Sequence, residues 1–218
     1  GIEIVPVSGR AFATFPESIG QIKGISYAVT SNGAAIYNKK TGERIHGVAI
    51  EYADLHSILD AFSHYFHNGQ ITYEAFVDGV AYGGREYVEH PEAFGVPERN
   101  VAYVQSTRKP VDDIIAFLSE HEEELDSLDI VAADTALYQK IEEQIPLVTK
   151  SVYTTSAVSY RLEISHKNSG KATGLAYVLK LLDITPEETV AFGDGDNDAE
   201  MLEFAGLGVA MENATENC

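Results

Sequence analysis

The stretch TVAFGDGDND, residues 189–198, joins a short apolar run to a loop that holds three aspartates and one asparagine. The apolar run TVAF (189–192) predicts a buried strand, and the sequence after the loop predicts a helix (199–206) and a further strand (207–211). A strand–loop–helix–strand unit is typical of a parallel α/β sheet. Ligands of such sheets bind beyond the carboxyl ends of the strands, which is where this loop lies.

The loop crowds the carboxylates of Asp194, Asp196 and Asp198 together, and they repel one another unless a positive group lies between them. Gly193 and Gly195 permit the tight turning that such a loop needs. A hard divalent cation would explain the cluster, since Mg²⁺ takes one or two protein carboxylates together with water and substrate phosphate. The alternative is an acidic turn in which Asp198 is the N-cap of the following helix.

The segment VSGR (7–10) is a second candidate site. It closes the run of residues 2–10, which predicts a buried strand that ends in a loop. A hydroxyl such as that of Ser8 at a strand end, with free backbone N–H groups behind it, can hold a phosphate. The alternative is an ordinary turn with Arg10 on the surface.

The segment NSGKATG (168–174) is the third candidate. Lys171 stands at the start of an amphipathic helix, where the positive end of the helix dipole also faces an anion. A phosphate-binding P-loop is disfavoured, because Ser165 and Ala172 occupy the positions where that motif needs Gly and Ser or Thr. The alternative is a solvated surface lysine.

The rest of the chain alternates strands and helices. Residues 25–38 predict a strand, an Asn-Gly turn and a second strand, and 41–47 extend this hairpin. Asp54 is expected to cap a helix whose apolar residues recur at helical spacing. Between 51 and 163 the alternation of strands and helices is self-contained, with a strand of interleaved apolar and polar residues predicted over 71–79, so this block is expected to form a separate lobe.

Composition narrows the class of function. With 218 residues, 44% of them hydrophobic, the chain can form a globular core in one or two domains. A formal net charge of −19 disfavours nucleic acid and anionic lipid as partners. No apolar run approaches the roughly 20 residues of a membrane span. The single cysteine, Cys218, excludes an intrachain disulfide and fits a reducing compartment, so we expect a cytoplasmic protein. A small anionic ligand is compatible with the net charge where a local site gathers positive groups, and we expect one here.

The order of these motifs resembles the haloacid dehalogenase-like (HAD) superfamily of phosphohydrolases, and is most similar to its Cof-type subfamily. The phrases that carry the resemblance are VSGR, VTSNGAAIYN, RLEIS…SGKATGLAYVL, VAFGDGDNDAEML and AGLGVAMENA. The resemblance implies an α/β fold: a HAD-like Rossmannoid parallel-sheet core with an inserted α+β (type IIB) cap domain. Residues 1–50 and 164–218 would form the core, and 51–163 the cap that closes over the site and chooses the substrate.

The resemblance also implies roles on the phosphate side of the site. The Ser8 hydroxyl and the Gly9 N–H would bind the transferring phosphoryl group. Lys171 would bind the same phosphate and balance the charge of the nucleophile. Asn32 and Gly33 would lie near the site entrance.

The remaining implied roles fall on the acidic loop. Asp194 would ligate Mg²⁺, and Asp198 would support the metal site from close by as its second carboxylate. Asn197 would help to position the phosphate. Asp196 fills a variable position of the motif and receives no role.

The implied activity is Mg²⁺-dependent hydrolysis of small phosphorylated metabolites through an aspartyl-phosphate. The family's nucleophile lies in an Asp-x-Asp motif on the first strand, and no such motif precedes residue 10. We therefore expect the natural protein to carry about 30–40 further N-terminal residues, enough for one strand and one helix. The alternatives are a degenerate homologue that binds metal or phosphate without turnover, and a phosphomutase. The substrate and the oligomeric state are left open.

Overall fold

A computed structural model describes all residues from Gly1 to Cys218. Its eight α-helices are α1 Glu17–Gln21, α2 Tyr52–His67, α3 Arg85–Glu89, α4 Glu98–Thr107, α5 Ile114–Glu120, α6 Thr135–Val148, α7 Lys171–Leu182 and α8 Ala199–Phe204. Its eleven strands are β1 Tyr27–Thr30, β2 Ala35–Asn38, β3 Arg44–Gly47, β4 Ile71–Val77, β5 Val80–Gly84, β6 Arg108–Val111, β7 Leu125–Ala132, β8 Val152–Val158, β9 Arg161–His166, β10 Val190–Gly193 and β11 Leu207–Ala210.

The chain divides into two compact units. Unit 1 consists of Gly1–Val48 and Asn168–Cys218, and unit 2 is the insertion Ala49–Lys167. The cap was expected to span 51–163; unit 2 begins slightly earlier and ends later, the latter because β9 continues to His166, which pairs with Val152 of β8. Strands β4 and β10 belong to different sheets.

Unit 1 contains two small sheets. Strands β1, β2 and β3 form an antiparallel sheet in that order, as the hairpin pattern predicts, because short loops join them. Strands β10 and β11 are parallel, and helix α8 connects them. Of the expected parallel sheet, unit 1 contains this pair and one parallel bridge between Val7 and Val29.

The expected strand over 2–10 does not form. Val7 makes a single bridge, and the hydrogen bonds around it run from the Val29 N–H to the Pro6 carbonyl (2.9 Å) and from the Ser8 N–H to the Val29 carbonyl (3.0 Å). Pro6 has no N–H to donate, so a ladder cannot extend through it on both edges. The segment runs beside β1 without becoming a regular strand.

Helix α7 packs against β1 and the turn that follows it. A Cβ atom on Gly174 would lie 2.4 Å from Val29 Cγ1 and 3.1 Å from Gly33 Cα, so only glycine permits this approach. Two apolar clusters of unit 1 include residues of α7: one contains Val29, Ile36 and Val178, and the other contains Leu175, Leu179, Ala191, Met201 and Leu202. This packing fixes the start of α7 beside the turn.

Unit 2 is built on a six-stranded sheet with the order β6-β5-β4-β7-β9-β8, in which only β5 and β6 are parallel. Helices α2, α5 and α6 contribute to the cluster on one face, and α3 and α4 to the cluster on the other. The strand predicted over 71–79 is β4, and every residue of it is buried because β4 is central and both of its faces are covered.

The expected cap of α2 also differs. The helix begins at Tyr52 after Glu51, which places Asp54 inside the first turn. Its carboxylate accepts a hydrogen bond from the Thr149 hydroxyl at the end of α6, and so joins two helices of unit 2. None of the helices in the structure has the combination of length and apolar character that crossing a membrane requires.

A row of ionic side chains is buried in the sheet of unit 2. Arg108 binds the Glu74 carboxylate with two hydrogen bonds, at 2.9 and 2.8 Å, and Tyr87 donates to the same carboxylate at 2.5 Å. Burial acts to raise the pKa of Glu74, but the charges of Arg108 and Arg161 outweigh it and hold that pKa below its ordinary value. Glu74 is therefore an ionised carboxylate inside the fold.

The next carboxylate of the row is different. Asp129 faces Glu74 on one neighbouring strand and Glu163 on the other. Arg161 donates to Glu163 at 2.8 Å, but its Nε lies 3.4 Å from Asp129 Oδ2 without a hydrogen bond. Burial raises the pKa of Asp129 well above its ordinary value, and the two neighbouring carboxylates add to the effect.

Candidate active site

Lys171 and Asp198 form a buried ion pair in unit 1. Lys171 Nζ lies 2.6 Å from Asp198 Oδ1 and 3.0 Å from Asn197 Oδ1. Both charged side chains are more than 90% buried. The alternative of a solvated surface lysine is therefore wrong, and the site holds one ammonium group at the acidic loop.

The turn after β1 positions the start of α7. Ser31, Asn32 and Gly33 all have positive φ, at 49°, 52° and 90°, a conformation that is uncommon outside glycine. The Gly170 N–H donates to the Asn32 carbonyl at 2.8 Å. A Cβ on Gly33 would lie 2.0 Å from the Gly170 carbonyl oxygen. This close backbone contact places Lys171, the next residue, at the first turn of the helix.

Asn197 links the lysine to that turn. Its Oδ1 accepts from Lys171, and its Nδ2 donates to Asn32 Oδ1 at 3.2 Å. Asn32 and Gly33 were expected near the site entrance, but both are buried. Asn32 belongs to the hydrogen-bonded wall of the site, where it connects the acidic loop to the VSGR segment through its own N–H and the Ser8 carbonyl (3.1 Å).

Asp198 organises the acidic loop. Its Oδ2 accepts from the backbone N–H groups of Asp194 and Gly195, at 3.0 and 3.1 Å. A Cβ on Gly193 would lie 2.4 Å from the Cβ of Asp198, so the loop can close this tightly only over glycine. Asp198 is the N-cap residue of α8, as the alternative predicted, but its side chain makes no hydrogen bond to that helix and instead holds the loop that precedes it.

These contacts set the charge of Asp198. Burial acts to raise its pKa, but the hydrogen bond and charge of Lys171, with the two backbone N–H groups, outweigh burial and lower the pKa. Asp198 Oδ1 and Oδ2 each already accept hydrogen bonds. Its part in the geometry is to hold the lysine and the loop, and its role as a metal ligand stays a prediction.

Asp194 and Asp196 are exposed and are held by residues that the sequence pattern did not single out. Asn213 Nδ2 donates to Asp194 Oδ2 at 2.7 Å, and Thr215 Oγ1 donates to Asp196 Oδ1 at 2.5 Å. Both partners lie in the segment after β11, 19 residues along the chain from the aspartates that they contact. No local pattern encodes contacts at that separation.

The VSGR segment offers donors at its Ser-Gly step. The Ser8 N–H is used by Val29, and the Ser8 hydroxyl accepts from the Arg10 N–H at 3.2 Å. The Gly9 N–H has no acceptor within the protein and is partly exposed. The Ser8 O–H and the Gly9 N–H can therefore both donate to an anion at this step.

Two buried serine hydroxyls in unit 1 have no hydrogen-bond partner. These are the side chains of Ser31 and Ser169. Each precedes a residue of the contact between Asn32 and Gly170, at the start of α7. A buried hydroxyl without a hydrogen bond is costly, so both are candidates for contact with a ligand, and sequence reasoning missed both.

The acidic loop can offer Mg²⁺ one free carboxylate oxygen. No group of three or more acidic, histidine or cysteine side chains is arranged to enclose an ion. Mg²⁺ does not need such a cage, because it keeps several waters and binds through one or two carboxylates and the substrate phosphate. The exposed Asp194 carboxylate, with one oxygen free of hydrogen bonds, meets that requirement.

Comparison with known proteins gives matches along the whole chain. A family model described as haloacid dehalogenase-like hydrolase matches residues 1–218. The phosphatase YwpJ of Bacillus subtilis is 30% identical over 241 aligned positions, which cover 100% of this chain and 80% of the relative.

Solved structures show the same fold. A haloacid dehalogenase-like hydrolase from B. subtilis superposes with a TM-score of 0.78 at 25% identity, covering 100% of this chain and 80% of its own. A sugar phosphatase of HAD subclass IIB superposes with a TM-score of 0.73 at 18% identity, covering 100% and 76%. The architecture of a HAD core with a subclass IIB cap is thereby confirmed.

Proposed function

The chain belongs to the haloacid dehalogenase-like hydrolase family and is a phosphohydrolase of that type, and we propose that it is a Mg²⁺-dependent phosphatase of small phosphorylated metabolites. The observation that carries this proposal is the buried Lys171, fixed by Asn197 and Asp198 at the carboxyl end of β10. A desolvated ammonium group at a strand end is suited to a phosphoryl group.

Four groups of the chain would bind the phosphoryl oxygens. Lys171 supplies a positive charge, and its two partners keep it from swinging toward solvent. The Ser8 hydroxyl and the Gly9 N–H supply neutral donors, and the Asn32 hydrogen bonds connect their segment to Lys171 through Asn197. Asn197 is the fourth group. Its Oδ1 accepts from Lys171 and its Nδ2 donates to Asn32, so we assign it the positioning of Lys171. We also assign it the phosphate contact that the family implies.

Asp194 would hold the Mg²⁺, with Asp198 behind it. The ion, when bound, neutralises charge on the phosphate during in-line transfer. The protein's contribution is the orientation of Asp194, since the loop backbone is anchored by Asp198 on one side and by Met211 on the other, whose N–H donates to Gly193 at 2.9 Å.

We place the attacking carboxylate on a further strand beside β10. Strand β10 pairs only with β11, and Val190 and Phe192 on β10 are 53% and 63% exposed although they are apolar. An additional strand and helix would pair this edge and cover this face. In this proposal that strand carries an Asp-x-Asp motif, and its first carboxylate forms an aspartyl-phosphate that water then hydrolyses.

The ligand class follows from charge. With a net charge of −19, the surface disfavours polyanions such as nucleic acid and acidic membranes, whereas a small phosphate ester can use the local positive charge of Lys171. We therefore propose a small phosphorylated metabolite as substrate, and a reducing cytoplasm as the location, on the basis of the single cysteine.

The test is the release of inorganic phosphate by the product of the complete reading frame. A panel of sugar phosphates, nucleotides and cofactor phosphates is assayed with Mg²⁺ and with excess chelator, and the organic product is identified. We expect free phosphate and a dephosphorylated product only with Mg²⁺. A phosphorylated isomer would indicate a phosphomutase, and phosphate binding without product would indicate a homologue that does not turn over; either result would contradict the proposal.

A further inference from the structure

The two exposed carboxylates of the acidic loop are not equivalent. Asp194 accepts from the side-chain amide of Asn213, and Asp196 accepts from the hydroxyl of Thr215. The family motif implies no role for Asp196, yet its carboxylate lies only two residues from Asp194 and is the same chemical group. Something in the fold must decide which of the two faces a bound cation.

We propose that Asn213 and Thr215, here named the C-terminal clamp, make that choice. Asn213 is a positioning residue that orients Asp194 toward the cation, and Thr215 holds Asp196 away from it. The inference rests on the proposed Mg²⁺-dependent function and adds two residues to its site.

The chemistry of the two donors suits this division. The amide of Asn213 is neutral and engages Oδ2 of Asp194 at 2.7 Å, so it fixes the plane of the carboxylate and leaves Oδ1 for a ligand without adding a competing charge. Partners of this kind, one shell beyond the metal, orient ligating groups. The Thr215 hydroxyl donates to Asp196 at 2.5 Å and ties that carboxylate to the segment after β11.

The side chains of the clamp are not needed to dock the segment. The backbone already does so, because the Met211 N–H donates to the Gly193 carbonyl at 2.9 Å and the Thr215 N–H donates to the Asp194 carbonyl at 3.1 Å. Asn213 and Thr215 are themselves exposed, so their side chains bury little surface. Their hydrogen bonds therefore act on the carboxylates and not on the packing of the core.

The first experiment is a calorimetric titration of Mg²⁺ into the product of the complete reading frame. We expect Asn213→Ala to weaken Mg²⁺ binding by about ten-fold, because Asp194 loses the amide that orients its carboxylate. Asn217→Ala is the matched control: Asn217 is an exposed asparagine of the same segment with no hydrogen bond to the loop. Thermal unfolding without metal checks that each variant is folded.

The second experiment tests the choice between the carboxylates by a double-mutant cycle. Asp196→Asn should change the Mg²⁺ affinity little in the native background. In the Thr215→Val background, where Asp196 is released, the same substitution should change it by about three-fold or more.

The outcomes separate this inference from the proposed function. If the wild-type protein binds Mg²⁺ and Asn213→Ala binds it equally well, the clamp is wrong and the proposed function stands. An effect of Asp196→Asn that is the same in both backgrounds would also overturn the clamp. If the wild-type protein binds no Mg²⁺, the proposed metal dependence fails and the clamp fails with it.

Discussion

Lys171 and Asp198 are joined at 2.6 Å inside unit 1, although 27 residues separate them in the chain. The lysine comes from the first turn of α7 and the aspartate from the loop after β10. Their contact connects two of the three segments that the sequence pattern marked as candidate sites. The pair is the structural centre of the proposed phosphate site, and it can be tested apart from catalysis.

Lys171→Met should destabilise the protein by about 3 kcal/mol, because it leaves a buried carboxylate without its cation. Adding Asp198→Asn should recover part of the loss, since the double variant buries no unpaired charge. Urea unfolding measures both values. Losses that simply add would show that the two side chains are not coupled.

The same pair predicts a dependence on acid. The folded-state pKa of Asp198 is lowered, so its contribution to stability is present above the unfolded pKa, about 4, and is lost as the pH falls through the folded value. Between pH 6 and pH 3 the wild-type protein should therefore lose more unfolding free energy than the Lys171→Met, Asp198→Asn double variant. Parallel profiles of urea unfolding against pH would refute this.

Gly33 offers a test of the joint between the turn and α7. Gly33→Ala combines a positive φ with a Cβ placed 2.0 Å from the Gly170 carbonyl oxygen. Gly42→Ala is the matched control, because Gly42 also has a positive φ (72°) but open space around its Cβ. We expect a loss of about 1 kcal/mol for Gly42→Ala and about 2–4 kcal/mol for Gly33→Ala. Equal losses in urea unfolding would mean that the close contact is unimportant.

Unit 2 should respond to pH in the opposite sense. Burial raises the folded-state pKa of Asp129, so folding takes up a proton there. The resulting stability is fully present below the unfolded pKa, about 4, and declines as the pH rises, by up to about 1.4 kcal/mol per unit. Asp129→Asn should flatten this decline in urea unfolding between pH 4.5 and pH 8, whereas Asp60→Asn, on the exposed side of α2, controls for the lost negative charge. A decline of unchanged slope in Asp129→Asn would contradict the prediction.

Local patterns predicted those parts of the structure that depend on neighbours in the chain. Helical spacing located α2 and α7, and the Gly-flanked aspartates located the loop after β10. The prediction of a strand over 2–10 was wrong. It relied on the β-rich composition of the segment, but Pro6 has no N–H to donate and so interrupts the ladder of hydrogen bonds.

Contacts between distant segments could not be predicted from local patterns. Asn213 and Thr215 reach the loop only because β11 runs parallel to β10 and returns the chain to the same edge. The burial of Lys171 depends on the close packing of Gly33 against Gly170, which periodicity does not reveal. The spacing of residues identified Lys171 and the aspartates of the loop, whereas their hydrogen-bond partners and burial follow only from the fold.

Steady-state phosphate release tests whether Lys171 is the phosphate-binding cation of a phosphatase. The product of the complete reading frame is assayed with Mg²⁺ and p-nitrophenyl phosphate as wild type, as Lys171→Ala and as Lys180→Ala, a control at the exposed end of the same helix. We expect Lys171→Ala to lower kcat by about 10²–10³-fold and Lys180→Ala to leave it unchanged. A folded Lys171→Ala protein with wild-type kcat and KM would contradict it.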